Sequence, residues 1–326
     1  MIGCIGISLG DVTGIGPEVT LKALAAELPA DSTRYLLIGD AACVQRLNAQ
    51  LGLKLDLVPL AQASSSARIT VTNPLAEPLP EDLVDGSPLA ARAAVSWLKD
   101  AAQRCLRQEL DAMVTAPVNK EAFSLAGIAD TGHQEVLARL SGATNVKTML
   151  VSGRLRCMHL STHKSLAEAC HYVTRANVLD AVMLTHEHFV RWGFANPRIA
   201  VAALNPHASD NGLIGREELD EIAPAVADAR AKGVNASGPI PADSVFNAAI
   251  AGKHDVVVVM YHDQGHIPIK VHGFEQSVSV NLGLPFLRTS VDHGTAFDIA
   301  GRGVADETSM VEAITLAVSL ANGAGL

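Results

Sequence analysis

Short apolar runs alternate with amphipathic stretches along the whole 326-residue chain, and nearly every run stops at a polar, reactive segment. Candidate strands are Ile2–Leu9, Tyr35–Ile38, Ala112–Thr115, Thr148–Val151, Arg156–Leu160, Ile199–Leu204, Val256–Met260 and Phe286–Ser290. Candidate helices are Pro17–Leu28, Pro88–Leu106, Ala176–Trp192, Glu217–Lys232 and Ser309–Leu320. Strands separated by helices of this length predict an α/β protein with mostly parallel sheets covered on both faces. A run such as VVVV at 256–259 fits a strand buried on both sides, where alternation disappears. The length calls for two domains. No compositional break separates them, so the chain is expected to cross between them more than once. Ser64–Asp82, rich in serine and proline, reads as an exposed excursion.

In open α/β sheets, ligands bind beyond the carboxyl ends of the strands, where loops and helix N-termini converge. In this chain those ends read GDVTGIGPE, APVNK, STHKS, NPHASDNG, YHDQGH and VDHGTAFDIAG. His163, His207 and His262 each lie within three residues of a different strand end. Neutral imidazoles suit zinc and other first-row metals, and three ligands with an open position describe a catalytic ion. The alternative is three locally hydrogen-bonded loop histidines. His186 and His188 read as surface residues of a helix, and His159 as a satisfied core residue.

Lys120, Lys270 and Arg288 follow strands or sit in the same loops, where they would anchor a phosphate or carboxylate; arginine does so with a bidentate fork. GDVTGIGPE is a tight strand-to-helix turn with Pro17 placed for a first helical turn, but it lacks the third glycine of the dinucleotide fingerprint. In HGTAFDIAG, Gly294, Thr295 and Ala296 allow close backbone approach to a ligand, and Asp298 could accept from a ribose.

A net charge of −9 argues against nucleic acid as a partner. Five scattered cysteines without a C-x-x-C pair fit reduced thiols. No apolar run approaches the roughly 18 residues of a membrane helix, so no membrane partner is expected. MIGCIGISLGD has no basic leader pattern, and a cytoplasmic location is expected.

The motifs GDVTGIGPEV, TAPVNK, GHQE, NPHASDNGLIGREE, GPIPADSVF, YHDQGHIPIK and LGLPFLRTSVDHGTAFDIAG resemble the 4-hydroxythreonine-4-phosphate dehydrogenase family of vitamin B6 synthesis. The resemblance runs in order over nearly the whole chain. It implies a two-domain fold like that of isocitrate and isopropylmalate dehydrogenases, with the active-site cleft between domains. One domain would be 1–125 with 280–326 on the cofactor side. The other, 126–279, would carry metal, substrate and dimer contacts. It also implies a homodimer whose subunits share each active site.

By the same resemblance, His163, His207 and His262 match the metal ligands, with zinc expected and magnesium, manganese or cobalt as alternatives. His133, Gln134, Lys270, Ser279 and Arg288 occupy substrate-binding positions. His293, Gly294, Thr295 and Asp298 form the NAD loop, with NADP as an alternative. Gln134 stands where the family has threonine, and Ser279 where it has asparagine. The implied reaction oxidises the C3 hydroxyl of 4-phosphohydroxy-L-threonine and decarboxylates the product to 3-amino-2-oxopropyl phosphate. The alternative is the same chemistry on 4-phospho-D-threonate or 4-phospho-D-erythronate, giving dihydroxyacetone phosphate, and QGHIPIKVHGF and DIAGRGVAD look closer to those relatives. Asp243 or Asp263 would move the proton or orient His262. A phosphate acetyltransferase-like acyltransferase is the remote alternative, disfavoured by the three histidines, as a solute-binding protein is by the absent leader.

Overall fold

Twelve strands and eleven α-helices occur in the residues that the computed structural model describes, 3–28, 32–130 and 132–325. The strands are β1 Cys4–Ser8, β2 Arg34–Ile38, β3 Leu57–Pro59, β4 Ile69–Thr72, β5 Ala112–Thr115, β6 Lys147–Ser152, β7 Leu155–His159, β8 Ile199–Ala202, β9 Ala236–Ile240, β10 Val256–Val259, β11 Val278–Leu282 and β12 Leu287–Val291. The helices are α1 Gly16–Glu27, α2 Ala41–Gln50, α3 Pro88–Leu106, α4 Lys120–Leu125, α5 His133–Ser141, α6 Leu166–Tyr172, α7 Arg175–Arg191, α8 Ala223–Ala231, α9 Ala242–Ile250, α10 His262–His272 and α11 Thr308–Ala321. All eight expected strands and all five expected helices are present with ends moved by a few residues, except that the helix expected from Glu217 opens as a π-helical turn, Glu218–Ile222, before α8; Ile2, the first residue of the first expected strand, lies outside the described residues. None of these helices is long and apolar enough to cross a membrane.

The chain divides into two compact units. The first runs to Val146 and resumes at Leu284–Asn322; the second is Lys147–Gly283 with the residues from Gly323 onward. Segment 126–146, expected in the second domain, belongs to the first because α5 packs on α3.

The first unit carries strands in the order β3-β4-β2-β1-β5-β12, every neighbouring pair parallel. The expected excursion at Ser64–Asp82 is corrected here: its middle forms β4, whose Ile69 and Val71 are buried between β2 and β3. Proline and serine mark its flanks, not its centre.

The second unit has the order β11-β6-β7-β10-β8-β9, antiparallel at β11-β6-β7 and parallel beyond. All four valines of β10 are fully buried. Their side chains alternate between faces, so Val257 and Val259 pack with Leu150, Cys157, Val245 and Ile269 under α9 and α10. Each such burial stabilises the fold by roughly 1.5–3 kcal/mol. Because β10 is central and apolar throughout, its polar successors emerge at one end of the sheet. There the chain turns directly into α10.

Candidate active site

In the first unit, the β1 turn and the HGTAFDIAG loop are built against each other. Ile15 N–H donates to the Thr295 carbonyl at 2.9 Å. A Cβ on Gly14 would lie 2.7 Å from that oxygen and 2.8 Å from the Thr295 Cβ, so glycine is required there. Ala296 takes a left-handed φ of 43° as the loop turns into Phe297–Ile299. Further on, the Glu18 carboxylate accepts from the Gly303 and Ala305 N–H groups, and Lys22 Nζ donates to both carbonyls. The first two turns of α1 thus hold the GRGVA segment in place.

A cavity of about 410 Å³ opens beside this junction, lined by Thr13, Gly14, Asp40, Arg46, Gln50 and Gly301 among others. Its size suits a nucleotide-like ligand. Asp298 is exposed in its turn and is not part of the wall; Ala300 and Gly301 are. Asp40 holds the wall in shape, accepting from Cys43 N–H at 2.9 Å and Leu79 N–H at 2.7 Å. Sequence reasoning missed Asp40, although it follows β2 as directly as the other reactive segments follow their strands. His293 Nδ1 donates to the Gly294 carbonyl at 2.9 Å, and its Nε2 is buried with no partner among the described residues.

Arg288 lies on β12, only 4% exposed, with Nε and an Nη donating to Thr115 Oγ1 at 3.1 and 2.6 Å. Burial pulls its pKa down to about 9, and the Glu135 carboxylate does not offset the lost hydration. His133 opens α5 behind Gly132, which supplies no side-chain cap. Burial first, then the Arg288 charge, hold the His133 imidazole well below its usual range. Its ring hydrogen-bonds the Ala116 backbone, and its Nε2 is buried with no partner among the described residues. A buried cation at the N-terminal end of a helix favours an anion. Gln134, one residue on, donates to the Val146 carbonyl at 3.4 Å, and Lys120 is exposed at the start of α4.

The second unit holds the three strand-end histidines. His163 and His262 have ring centroids 6.4 Å apart. Two imidazoles on one tetrahedral zinc would sit about 5.3 Å apart, given Zn–N distances of about 2.1 Å. The pair is therefore about 1 Å too wide. Asp263 Oδ1 lies 2.6 Å from His262 Nδ1, so that nitrogen carries the proton and Nε2 the lone pair a metal needs. His207 does not complete the set: among the described residues of one chain, no three His, Cys, Asp or Glu side chains could hold an ion together.

His207 opens a run of left-handed residues, His207 to Asn211, with φ between 43° and 67°. Each costs about 1–2 kcal/mol without glycine. Glu218 supports the strain by accepting from Leu204 and Asn205 N–H at 2.8 and 2.7 Å. Asp243 is exposed in the first turn of α9. Lys270, on α10, donates to Ser277 Oγ at 3.1 Å and lies over the Phe274 ring. Ser279 is half-buried on β11.

Two histidine expectations are corrected. His188 is buried and accepts from Gly283 N–H at 2.9 Å through Nε2. His186 is half-buried with its Nδ1 shut off from solvent. The buried face of α7 is wider than its spacing predicted.

A family model described as "Pyridoxal phosphate biosynthetic protein PdxA" matches residues 31–317. The chain belongs to the PdxA family. Within it, the D-threonate 4-phosphate dehydrogenase of Cupriavidus necator is 44% identical over 323 residues, 97% of each chain. The 4-hydroxythreonine-4-phosphate dehydrogenase of Geobacter metallireducens is 42% identical over 326 residues, covering 98% of this chain and 96% of that one. The crystal structure of 4-hydroxythreonine-4-phosphate dehydrogenase from Klebsiella pneumoniae matches with a TM-score of 0.88 at 41% identity, covering 98% of each chain. This member of the PdxA family is a dehydrogenase.

Proposed function

We propose that the chain oxidises the C3 hydroxyl of a 4-phosphorylated 3-hydroxy acid with NAD, and that the 3-keto acid so formed loses CO2. The observation that carries this reading is the buried Arg288 beside His133 at the start of α5. A phosphate there would meet the Arg288 guanidinium and the positive end of the α5 dipole.

The loop of His293, Gly294, Thr295 and Asp298, with the cavity beside Gly14, would hold the dinucleotide. His163, His207 and His262 would hold a divalent ion, zinc by the chemistry of the donor set. When bound, these groups supply a hydride acceptor and a Lewis acid that lowers the hydroxyl pKa and steadies charge as CO2 leaves. Asp263 keeps the His262 proton on Nδ1. Asp243, free of that task, is the remaining candidate to pass a proton to the decarboxylated carbon. Lys270, Gln134 and Ser279 would contact substrate.

The ligand set would be completed by a second copy of the chain, with both active sites shared in a homodimer. Exposed apolar residues flank both histidine motifs: Leu213 and Ile214 after His207, and Ile267, Val271 and Phe274 on α10 and just beyond it, after His262. Ile267 and Val271 share one face of α10, as a covered surface would need, and Phe274 follows just past the end of the helix.

For the substrate, the 44% relative and the QGHIPIKVHGF run favour 4-phospho-D-threonate, giving dihydroxyacetone phosphate. The second reading is 4-phosphohydroxy-L-threonine, supported by the relative at 42%. Parallel assays with both acids and with 4-phospho-D-erythronate, measuring reduced nicotinamide and released CO2, decide between them. Absence of both products with all three acids would refute the reaction class.

A further inference from the structure

One line of hydrogen bonds crosses the second unit from β6 to the start of α10. The Thr148 carbonyl faces His159 Nδ1 at 3.2 Å. His159 Nε2 faces His266 Nδ1 at 3.0 Å, and that same Nδ1 lies 3.1 Å from the His262 carbonyl oxygen. The His266 ring then stacks on the His262 ring, with centroids 3.5 Å and planes 11° apart.

The acceptors fix every proton. A carbonyl oxygen only accepts, so His159 carries its proton on Nδ1. His266 Nδ1 faces both a ring nitrogen and a carbonyl, and a lone pair there would be turned onto the carbonyl lone pairs. His266 Nδ1 is therefore the donor, shared between the two, and His159 Nε2 accepts. The i, i+4 spacing on α10 places His262 and His266 on one face. Gly265 makes the arrangement possible: a Cβ there would lie 2.3 Å from His159 Nε2 and 2.8 Å from Val259 Cγ2.

We propose that His266 is a positioning residue for His262: held in one tautomer and one rotation by His159, it braces the face of the His262 ring while Asp263 fixes that ring's proton. His262 is thereby left with a single orientation in which to offer Nε2. The inference rests on His262 being a metal ligand, as proposed above, and adds that two further imidazoles and a β6 carbonyl set its direction.

The test uses full-length, metal-free protein labelled with nitrogen-15 histidine. Long-range proton–nitrogen spectra should show His159, His266 and His262 each protonated on Nδ1. Cobalt(II) titration then reads the brace. His266→Leu should weaken cobalt binding by about 10- to 100-fold, the usual effect of losing an outer support of a metal ligand. His266→Phe, which keeps a flat ring, should recover most of that loss. His159→Phe should abolish the fixed His266 tautomer; if that variant fails to fold, the half-buried His266 pair still decides. A His266 proton on Nε2, or a His266→Leu affinity within about 2-fold of the parent, overturns the proposal. His262→Ala binding cobalt as well as the parent would instead remove the metal reading, and the tautomers would still report whether the hydrogen-bonded line exists.

Discussion

His188 gives the second unit an acid-sensitive joint of predictable size. The ring is 7% exposed and accepts the Gly283 N–H through Nε2, which requires the neutral form. Burial, followed by the Arg191 charge, pulls its pKa to about 4, against an ordinary value near 6.5. The unfolded chain therefore binds this proton more readily than the folded one between pH 6.5 and 4. The stabilisation is complete above pH 6.5, falls as pH drops through that window and is gone below 4. One proton corresponds to about 1.4 kcal/mol per pH unit, so about 2 kcal/mol is lost by pH 5. His188→Gln keeps an acceptor and removes the titration. Trp192, with its ring centroid 5.3 Å from that of His188, becomes the sole tryptophan in a Trp97→Phe background. Guanidinium unfolding monitored by Trp192 fluorescence should show the His188 protein losing about 2 kcal/mol relative to His188→Gln between pH 7.5 and 5. A stability offset between the two that stays constant with pH would refute the reasoning.

Three further perturbations address the other parts of the account. Gly14→Ala forces a Cβ onto Thr295; overpacking of about 1–3 kcal/mol should weaken NADH binding by roughly 10- to 100-fold in a fluorescence titration. Arg288→Lys keeps the charge but loses the fork; KM for the phosphorylated acid should rise at least about 10-fold, and an unchanged KM would remove the phosphate from this site. Phe274, 67% exposed just past the apolar face of α10, should hold the second copy, so Phe274→Asp should shift light scattering from dimer to monomer.

Much of this was legible at the strand ends. Val256–Val259 announces a doubly buried strand, and the polar segment after it carries a histidine, as do the segments after β7 and β8. Two of the hidden features share a cause, which is that tertiary contact overrode local signal. HDQGHIPIK contains glycine and proline, poor helix formers, yet it is helical because Gly265 lets α10 close on His159. His188 looked like a surface residue because only the folded unit brings Gly283 to it. β4 was masked by its serine- and proline-rich flanks, and the left-handed run at His207 has no glycine to betray it. The pairing of His133 with Arg288 joins positions far apart in the chain, and spacing rules cannot see it.

Metal content by mass spectrometry of the purified, chelator-stripped and zinc-reloaded protein tests the central claim most directly. One ion per chain is expected in the parent, with none retained by folded His207→Ala or His262→Ala, because neither can complete the set. A His207→Ala protein that reloads one ion per chain and keeps parental activity would contradict the account.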